Sequence, residues 1–383
     1  MKENHNGLAL SRRALLGAAA LAGPAAALDF AAAPAPARVR ATPDRLIDIA
    51  VCTRPFRPQG PRIEAESLHG KHLVHHYGHG GAGWSLSWGS ARAALPLIQA
   101  GGAQGRIAVI GAGAIGLTTA RVAQRAGLRV RIYCKDLPPD VPSSAATGLW
   151  SPDSRLCSAA HATPAFELAW EQMARSSFRT WQSLLGVPGD PVQWRDGYLL
   201  SDLPFDEPLA GTAFAGEPDY PDLLERLDDI RPRSRPLRPD EHPFRVPHAR
   251  RFTQMMFNLS VYQRLLLEDF LREGGEFVRR EFEQPRQIAG LPERTVVNCT
   301  GYGARALFGD QSLVPVKGQT ARLVPQPEVD YMLIYRGHGL VMLPRRDGLL
   351  VAAQGEGDFG NADRAPDRAQ SLAAVQRLAA LFA

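Results

Sequence analysis

Apolar positions along this chain recur at two periods, and the switches between them mark its elements. Residues 106–110 end in a short apolar run and 129–133 alternate arginine with Val130 and Ile132, both of strand length, whereas 117–126 repeats its apolar positions at helical spacing until Gly127 stops it. Residues 107–155 therefore read as a strand-helix-strand half of a parallel sheet. Residues 46–52 and 71–76 read as further strands, and 90–100, 166–185, 262–274 and 366–382 as helices. The segment 276–282, after a Gly-Gly stop, returns to the first sheet. Residues 190–255 are rich in proline and polar groups and predict strands and loops of a second region. Within them, Arg231-Pro232-Arg233-Ser234-Arg235-Pro236-Leu237-Arg238 reads as a solvated loop rather than an anion site, because its prolines forbid a continuous basic helix face.

Composition changes this picture only at the N-terminus. A chain of 383 residues with 45% hydrophobic content can bury one large core or two intermediate ones. Residues 1–40 carry five basic and two acidic groups, so more than half of the formal +5 charge lies there and argues little for nucleic acid. Ser11-Arg12-Arg13-Ala14-Leu15-Leu16 leads into a small apolar run at 17–28 and an Ala/Pro-rich stretch ending at Ala37. That pattern resembles a twin-arginine export signal; the alternative is a buried first helix. The run is too short for a stable membrane span. Export by the twin-arginine machinery to the periplasm or cell exterior is the expectation. Cys52, Cys134, Cys157 and Cys299 show no metal-ligand spacing and read as buried free thiols.

The densest chemical signal is Gly111-Ala112-Gly113-Ala114-Ile115-Gly116, standing between the first strand and its helix. Gly111 permits the tight turn, Gly113 lets the backbone approach a pyrophosphate, and Gly116 lets the helix pack closely on the sheet. The positive end of the helix then faces the phosphates. Asp136 lies at the interval expected for a carboxylate on the adenosine ribose. The motif by itself serves NAD or FAD equally.

Other segments separate the two cofactors. Arg54-Pro55-Phe56-Arg57, Tyr77-Gly78-His79-Gly80-Gly81-Ala82-Gly83-Trp84-Ser85, Ala146-Thr147-Gly148-Leu149-Trp150-Ser151-Pro152, Asp196-Gly197-Tyr198, Val296-Val297-Asn298-Cys299-Thr300-Gly301 and Val314-Pro315-Val316-Lys317-Gly318-Gln319 together resemble the D-amino-acid oxidase-like FAD-dependent oxidoreductases. The resemblance runs from about Cys52 to the C-terminus, in an unusual order. Segments that close the chain in that family precede the dinucleotide fingerprint here, which implies a natural circular permutation. The Gly-rich 101–105 would be the join.

The fold implied is α/β: a Rossmann-type FAD-binding domain plus an α+β substrate domain with a mainly antiparallel sheet. The map assigns 1–37 to export, 41–100 to a permuted flavin-covering segment, 101–105 to a linker and 106–160 to the FAD-binding domain. It assigns 161–260 mainly to the substrate domain, 261–310 to the FAD domain, 311–345 to the substrate domain and 346–383 to the FAD domain. The resemblance places Gly111, Gly113, Gly116, Asp136, Ser144, Gly148, Leu149, Phe282, Thr300, Gly301, Arg62, Gly80, Gly81, Gly83 and Ser85 at the cofactor. Amides of the Gly-rich turn would face the flavin pyrimidine edge.

Arg54 matches the family's carboxylate anchor, since a guanidinium fork receives a carboxylate in two parallel hydrogen bonds. The alternative is a structural arginine paired with Glu64 or Glu66. The lid tyrosines of eukaryotic members are altered: Val341 stands where one would be, with Tyr335 or His338 as substitutes and Arg345 as a hairpin arginine or second cation. His75, His76 and His79 lack zinc-site spacing, so no metal is expected. The implied reaction is oxidative deamination of an amino acid, most simply a D-amino acid, with oxygen as acceptor. A dehydrogenase using a quinone or carrier, and an exported flavin-binding protein without turnover, are the alternatives.

Overall fold

The computed structural model describes residues 35–102, 105–207 and 216–382. The twin-arginine segment and the middle of the 101–105 join lie outside the described residues. From Pro36 onward the chain is one unit containing two sheets.

The first sheet has six strands in the order β2 (Arg62–Leu68), β3 (Lys71–Tyr77), β10 (Thr295–Asn298), β4 (Arg106–Ile110), β5 (Arg129–Cys134) and β9 (Glu276–Arg279). Strands β3 through β9 are parallel, and β2 closes the edge as the antiparallel arm of a hairpin. β4 is apolar because both of its faces are covered. Ile107 and Val109 face a core built with α1 (Gly83–Ala100), α2 (Ala114–Arg125), α3 (Pro164–Gln182) and α4 (Leu259–Arg272), while Ala108 and Ile110 face a smaller cluster with Ile288 and Leu291. Thr163 caps α3 by accepting from the Phe166 amide at 3.2 Å, with Pro164 at the first helical position.

The second sheet has eight strands in the order β1 (Leu46–Phe56), β11 (Val314–Leu323), β14 (Gly348–Ala353), β13 (Leu340–Arg345), β12 (Met332–Tyr335), β6 (Val192–Ser201), β8 (His248–Phe257) and β7 (Arg235–Leu237). Every neighbouring pair is antiparallel except β12 with β6. The mixed α/β class with a mainly antiparallel second sheet is thus as expected.

Several boundaries differ from the sequence reading, each for a physical reason. β1 runs on through Arg54 and Pro55, because an edge strand tolerates a residue without an N–H. β2 was hidden by its exposed, polar composition. α1 begins at Gly83, seven residues before the expected start, since Trp84, Leu86 and Trp88 are buried despite the serines and glycine between them. The stretch 346–382 goes to the second sheet, whereas the sequence reading places 346–383 with the first: β14 lies between β11 and β13, and α5 (Arg368–Ala380) packs Ala374, Val375 and Leu378 against Leu323, Leu349 and Val351. Part of the arginine-rich run, Arg235–Leu237, pairs with β8 as an edge strand. All four cysteines are buried and free.

The segment before β4 completes both sheets. It supplies β1 to the eight-stranded sheet and β2 and β3 to the six-stranded one. Val39 and Ala41 share a hydrophobic cluster with Leu378 and Leu381, so the two ends of the described chain pack together.

Candidate functional site

The turn after β4 is the floor of the site. Gly111 has φ 110°, and a Cβ there would stand 2.5 Å from the Cys299 carbonyl oxygen; one on Gly116 would stand 2.0 Å from the Gly111 oxygen. Both contacts are impossible for a larger residue. Gly113 differs, since the only atom near its added Cβ is Ser143 Oγ at 3.4 Å. Its surface is open toward two adjoining cavities.

One cavity, of ≈ 460 Å³, runs from Gly111 and Gly113 past Tyr133, Lys135, Asp136, Phe282 and Thr300. Asp136 has no ion-pair partner among the described residues, whereas Lys135 bonds Glu281 at 3.1 Å. Arg280 lies over the Phe282 ring at 4.8 Å. The other cavity, of ≈ 420 Å³, runs from Gly113 and Ala114 between the sheets to Arg54 on β1 and Gly318 to Thr320 on β11. The two share Gly113, Lys135, Pro142, Cys299 and Gly303, and so form one trough centred on the N-terminus of α2.

Arg54 lies flat on β11. A Cβ on Gly318 would meet its guanidinium at 2.6 to 2.7 Å, so glycine is what admits it. Its Nη1 donates to the Lys317 carbonyl at 2.9 Å, which fixes the fork and leaves other N–H groups for a ligand. Pairing with Glu64 or Glu66 does not occur: Glu64 accepts from Arg62 at 3.0 Å and Glu66 bonds His75 at 2.8 Å. Arg57 is structural, held by Ser312 at 3.0 Å.

The Gly-rich turn reaches the cavity in part as expected. Gly80, Gly81 and Gly83 line it, but the Gly80 and Gly81 amides donate to the carbonyls of Pro55 and Ser154. The amides left for a ligand are those of the first turn of α1, whose helical bonding begins only with Leu86 to Ala82. His76 and His79 also line this cavity and are bound within it. Thr119 donates to the Ile115 carbonyl, so it must accept from His76 Nδ1 at 2.9 Å. Ser90 then donates to His76 Nε2 and accepts from His79 Nε2, each at 2.6 Å. Burial pushes His76 down to about 3 and His79 well below its ordinary value, keeping both neutral. Burial likewise pushes the Cys299 thiol up to about 12, so it stays protonated beside the trough.

Six expected site residues stand elsewhere. Arg62 is spent on Glu64 and the Tyr77 hydroxyl at the sheet edge. Ser85 accepts from the Ser151 amide at 2.8 Å, tying α1 to the loop beside the trough. Ser144 accepts from Gln263, and its neighbour Ser143 faces the trough instead, accepting from the Ala114 amide at 3.0 Å. Gly148 is pressed against the Phe257 carbonyl, and Leu149 packs on Met256; Thr147 and Ser151 are the loop residues that line the cavity. Tyr335 lies off the trough, donating to Asp202 at 2.6 Å and tilted against His338 with ring centres 4.0 Å apart. Arg345 is no exposed hairpin arginine either: it is buried, paired with Asp347 at 2.6 Å and bonded to the Ala146 carbonyl.

Ser143, Ser154, Arg155, Tyr302, Gln319 and Arg364 also line the cavity and were not anticipated. Arg155 stands three residues beyond Pro152 of the Trp150-Ser151-Pro152 motif and was within reach of that segment. Arg364 carries no motif.

A glycine-walled trough at the positive end of a parallel-sheet helix, continued between two sheets, defines a dinucleotide-dependent enzyme. The model of the FAD dependent oxidoreductase family matches residues 106–383, and the chain belongs to that family. Its relatives include a D-amino-acid oxidase of Streptomyces coelicolor, 28% identical over 288 residues (72% of this chain and 78% of the relative). Another, from Rubrobacter xylanophilus, is 27% identical over 278 residues (72% of this chain and 77% of the relative). Among solved structures, an L-amino acid deaminase from Proteus vulgaris aligns at TM-score 0.43 and 15% identity, over 66% of this chain and 61% of that one. The cofactor is FAD, and the residues fit it: the open face of Gly113 suits a pyrophosphate, Asp136 a ribose, and the first turn of α1 an electron-rich ring edge.

Proposed function

We propose that this enzyme oxidises an amino acid, the D enantiomer first, to an imino acid that water converts to a 2-oxo acid and ammonia, with oxygen reduced to hydrogen peroxide. The carrying observation is Arg54, a guanidinium held by one backbone carbonyl in the shared cavity, with no carboxylate partner among the described residues. Relatives named D-amino-acid oxidase support the same reading. Bound FAD supplies the two-electron acceptor for such an oxidation. Arg54 receives the substrate carboxylate and sets its orientation, which is the protein's main task where the cofactor carries the chemistry. The free amides of the first turn of α1 would stabilise negative charge on the bound cofactor, and the neutral histidines add no cation to this cavity. Oxygen-consumption and dye-reduction assays on one purified sample test the acceptor. Dye reduction without oxygen uptake would replace the oxidase by a dehydrogenase using a quinone or carrier.

We further propose that the chain is a circular permutation of its relatives. The family match starting at residue 106, the contribution of 46–77 to both sheets, and the shared cluster of Val39, Ala41, Leu378 and Leu381 support it. Joining Ala383 to Ala41 by a short linker and opening the chain at Gly102-Ala103 should then preserve flavin binding. Colourless protein from several linker lengths would refute this. Twin-arginine export to the periplasm or exterior is proposed from Arg12 and Arg13 alone. Arg12→Lys with Arg13→Lys should leave flavin-loaded protein in the cytoplasm of fractionated cells, and unchanged export would exclude that route.

A further inference from the structure

The charges around the Arg54 cavity are one-sided. Arg54, Lys135, Arg155 and Arg364 line it, and among the described residues no aspartate or glutamate does. The histidines are neutral, so they do not alter the sign. Two of the four cations are answered by carboxylates that do not line this cavity, one of them lining the adjoining cavity. Lys135 pairs with Glu281 where the trough passes to its other cavity, and Arg155 pairs at 3.2 Å with Glu217, a side chain only 4% exposed. Arg54 and Arg364 have no ion-pair partner among the described residues.

Arg364 is also held in place at the rim. On one side of it, Asp363 accepts from Lys317 Nζ at 3.3 Å; on the other, the Ala365 carbonyl accepts from the same Nζ at 2.7 Å. Asp367 closes the loop onto Gln319, its amide donating to Gln319 Oε1 at 2.8 Å. Lys317 and Gln319 flank Gly318, the residue on which Arg54 lies. Arg54 and the loop that carries Arg364 are thus anchored on one short stretch of β11, with Arg54 inside the cavity and the exposed Arg364 at its mouth. Arg155 faces the same space from the opposite wall with its Nη1 unspent among the described residues, its backbone in the left-handed region at φ 46°.

An amino acid with a neutral side chain brings one carboxylate and satisfies one of these cations. We propose that the preferred substrate is an amino dicarboxylic acid, its α-carboxylate on Arg54 and its side-chain carboxylate received by Arg364, with the free edge of Arg155 facing it. This rests on the amino-acid reading of the site and narrows it. Acidic substrates come first, neutral ones second and basic ones last, because a low-dielectric cavity of one sign rejects like charge.

The test compares each acid with its own amide, which differs in charge and hardly in size. Initial rates of flavin reduction under anaerobic conditions are measured for both enantiomers of aspartate, asparagine, glutamate, glutamine and lysine, with wild type and Arg364→Gln. The proposal expects at least one acid to exceed its amide about tenfold or more in kcat/KM, through KM, and expects Arg364→Gln to remove most of that ratio, the acid losing far more than its amide. The acid-over-amide ratio should also shrink as salt rises. Binding gives a second readout: succinate should perturb the flavin spectrum at lower concentration than butyrate, and Arg364→Gln should abolish the difference. Equal rates for acid and amide, or an equal loss for both in Arg364→Gln, would overturn the proposal and leave amino-acid oxidation standing. Absence of reduction by any amino acid would overturn both.

Discussion

At the α2 end of the trough the floor is backbone, Gly111, Gly113 and the first amides of a helix, with the side chains of Tyr133, Lys135, Asp136, Arg280 and Phe282 around it. At the Arg54 end the walls are long side chains delivered by four separate stretches, β1, the loop carrying Ser151 to Arg155, β11 and the loop at 361–367. The glycine floor of the first end is set by one strand-turn-helix and is steric in origin. The second end is assembled by tertiary contacts and governed by charge. A backbone floor tolerates almost no substitution, while a side-chain wall can be retuned residue by residue without losing the cofactor.

The largest expected effect breaks the first end. Gly116→Val drives a branched side chain into the Gly111 carbonyl 2.0 Å away, and should cost about 4 kcal/mol or more, read as insoluble protein or a lost thermal transition. Gly113→Val, whose Cβ position is open, should instead leave a folded protein without yellow colour. If both variants fold and bind flavin, the steric account of this end is wrong.

Next comes the second end. Arg54→Ala should keep its flavin and lose about 30-fold to several thousand-fold in kcat/KM, as one partner of a desolvated charge pair is removed. Arg54→Lys keeps the charge without the fork and should recover only part of the loss. Joint loss of flavin and activity would instead make Arg54 a structural residue.

A further effect, on stability rather than turnover, is read at the Arg54 end by pH, where His76 and His79 line the cavity. The folded values of His76 and His79 lie below the unfolded value near 6.5, so the unfolded chain binds more protons in acid. Stability is therefore fully present above about pH 6.5 and falls as pH drops toward 3, by about 1.4 kcal/mol per unit for each such histidine. Thermal unfolding measured between pH 7 and 4 checks the slope. Above about pH 7 these histidines contribute no pH dependence. The smallest effect belongs to Tyr335→Phe, which removes a hydrogen bond to Asp202 away from the trough. It should cost about 1 kcal/mol of stability and change kcat/KM by less than about twofold.

Legibility in the sequence followed the same division. Gly111, Gly113, Asp136, Phe282 and Thr300 line the trough, and the two glycines were the most legible because a strand-turn-helix carries its geometry within a few residues. Ser144, Gly148, Leu149 and Ser85 were placed in the right segments but on the wrong side. A loop's pattern does not tell which of two neighbouring residues points inward, and Ser143, Thr147 and Ser151 took those positions. Tyr335 was carried over from a resemblance at a place where the lid differs. Arg364 was invisible, since only the anchoring of its loop on Lys317 and Gln319 brings it to the cavity. The strands β2 and β7 were missed for a related reason: edge strands are exposed and polar, so they lack the apolar alternation that marks a buried one.

The most direct test of amino-acid oxidation anchored by Arg54 is an anaerobic titration of the flavin-loaded protein with amino acids and with the amines that lack their carboxylates. The account predicts that an amino acid bleaches the flavin in wild type, that Arg54→Ala slows this severely with its flavin retained, and that the matching amines react poorly with both proteins. Bleaching by amine and amino acid alike, or no bleaching by any amino acid, would contradict it.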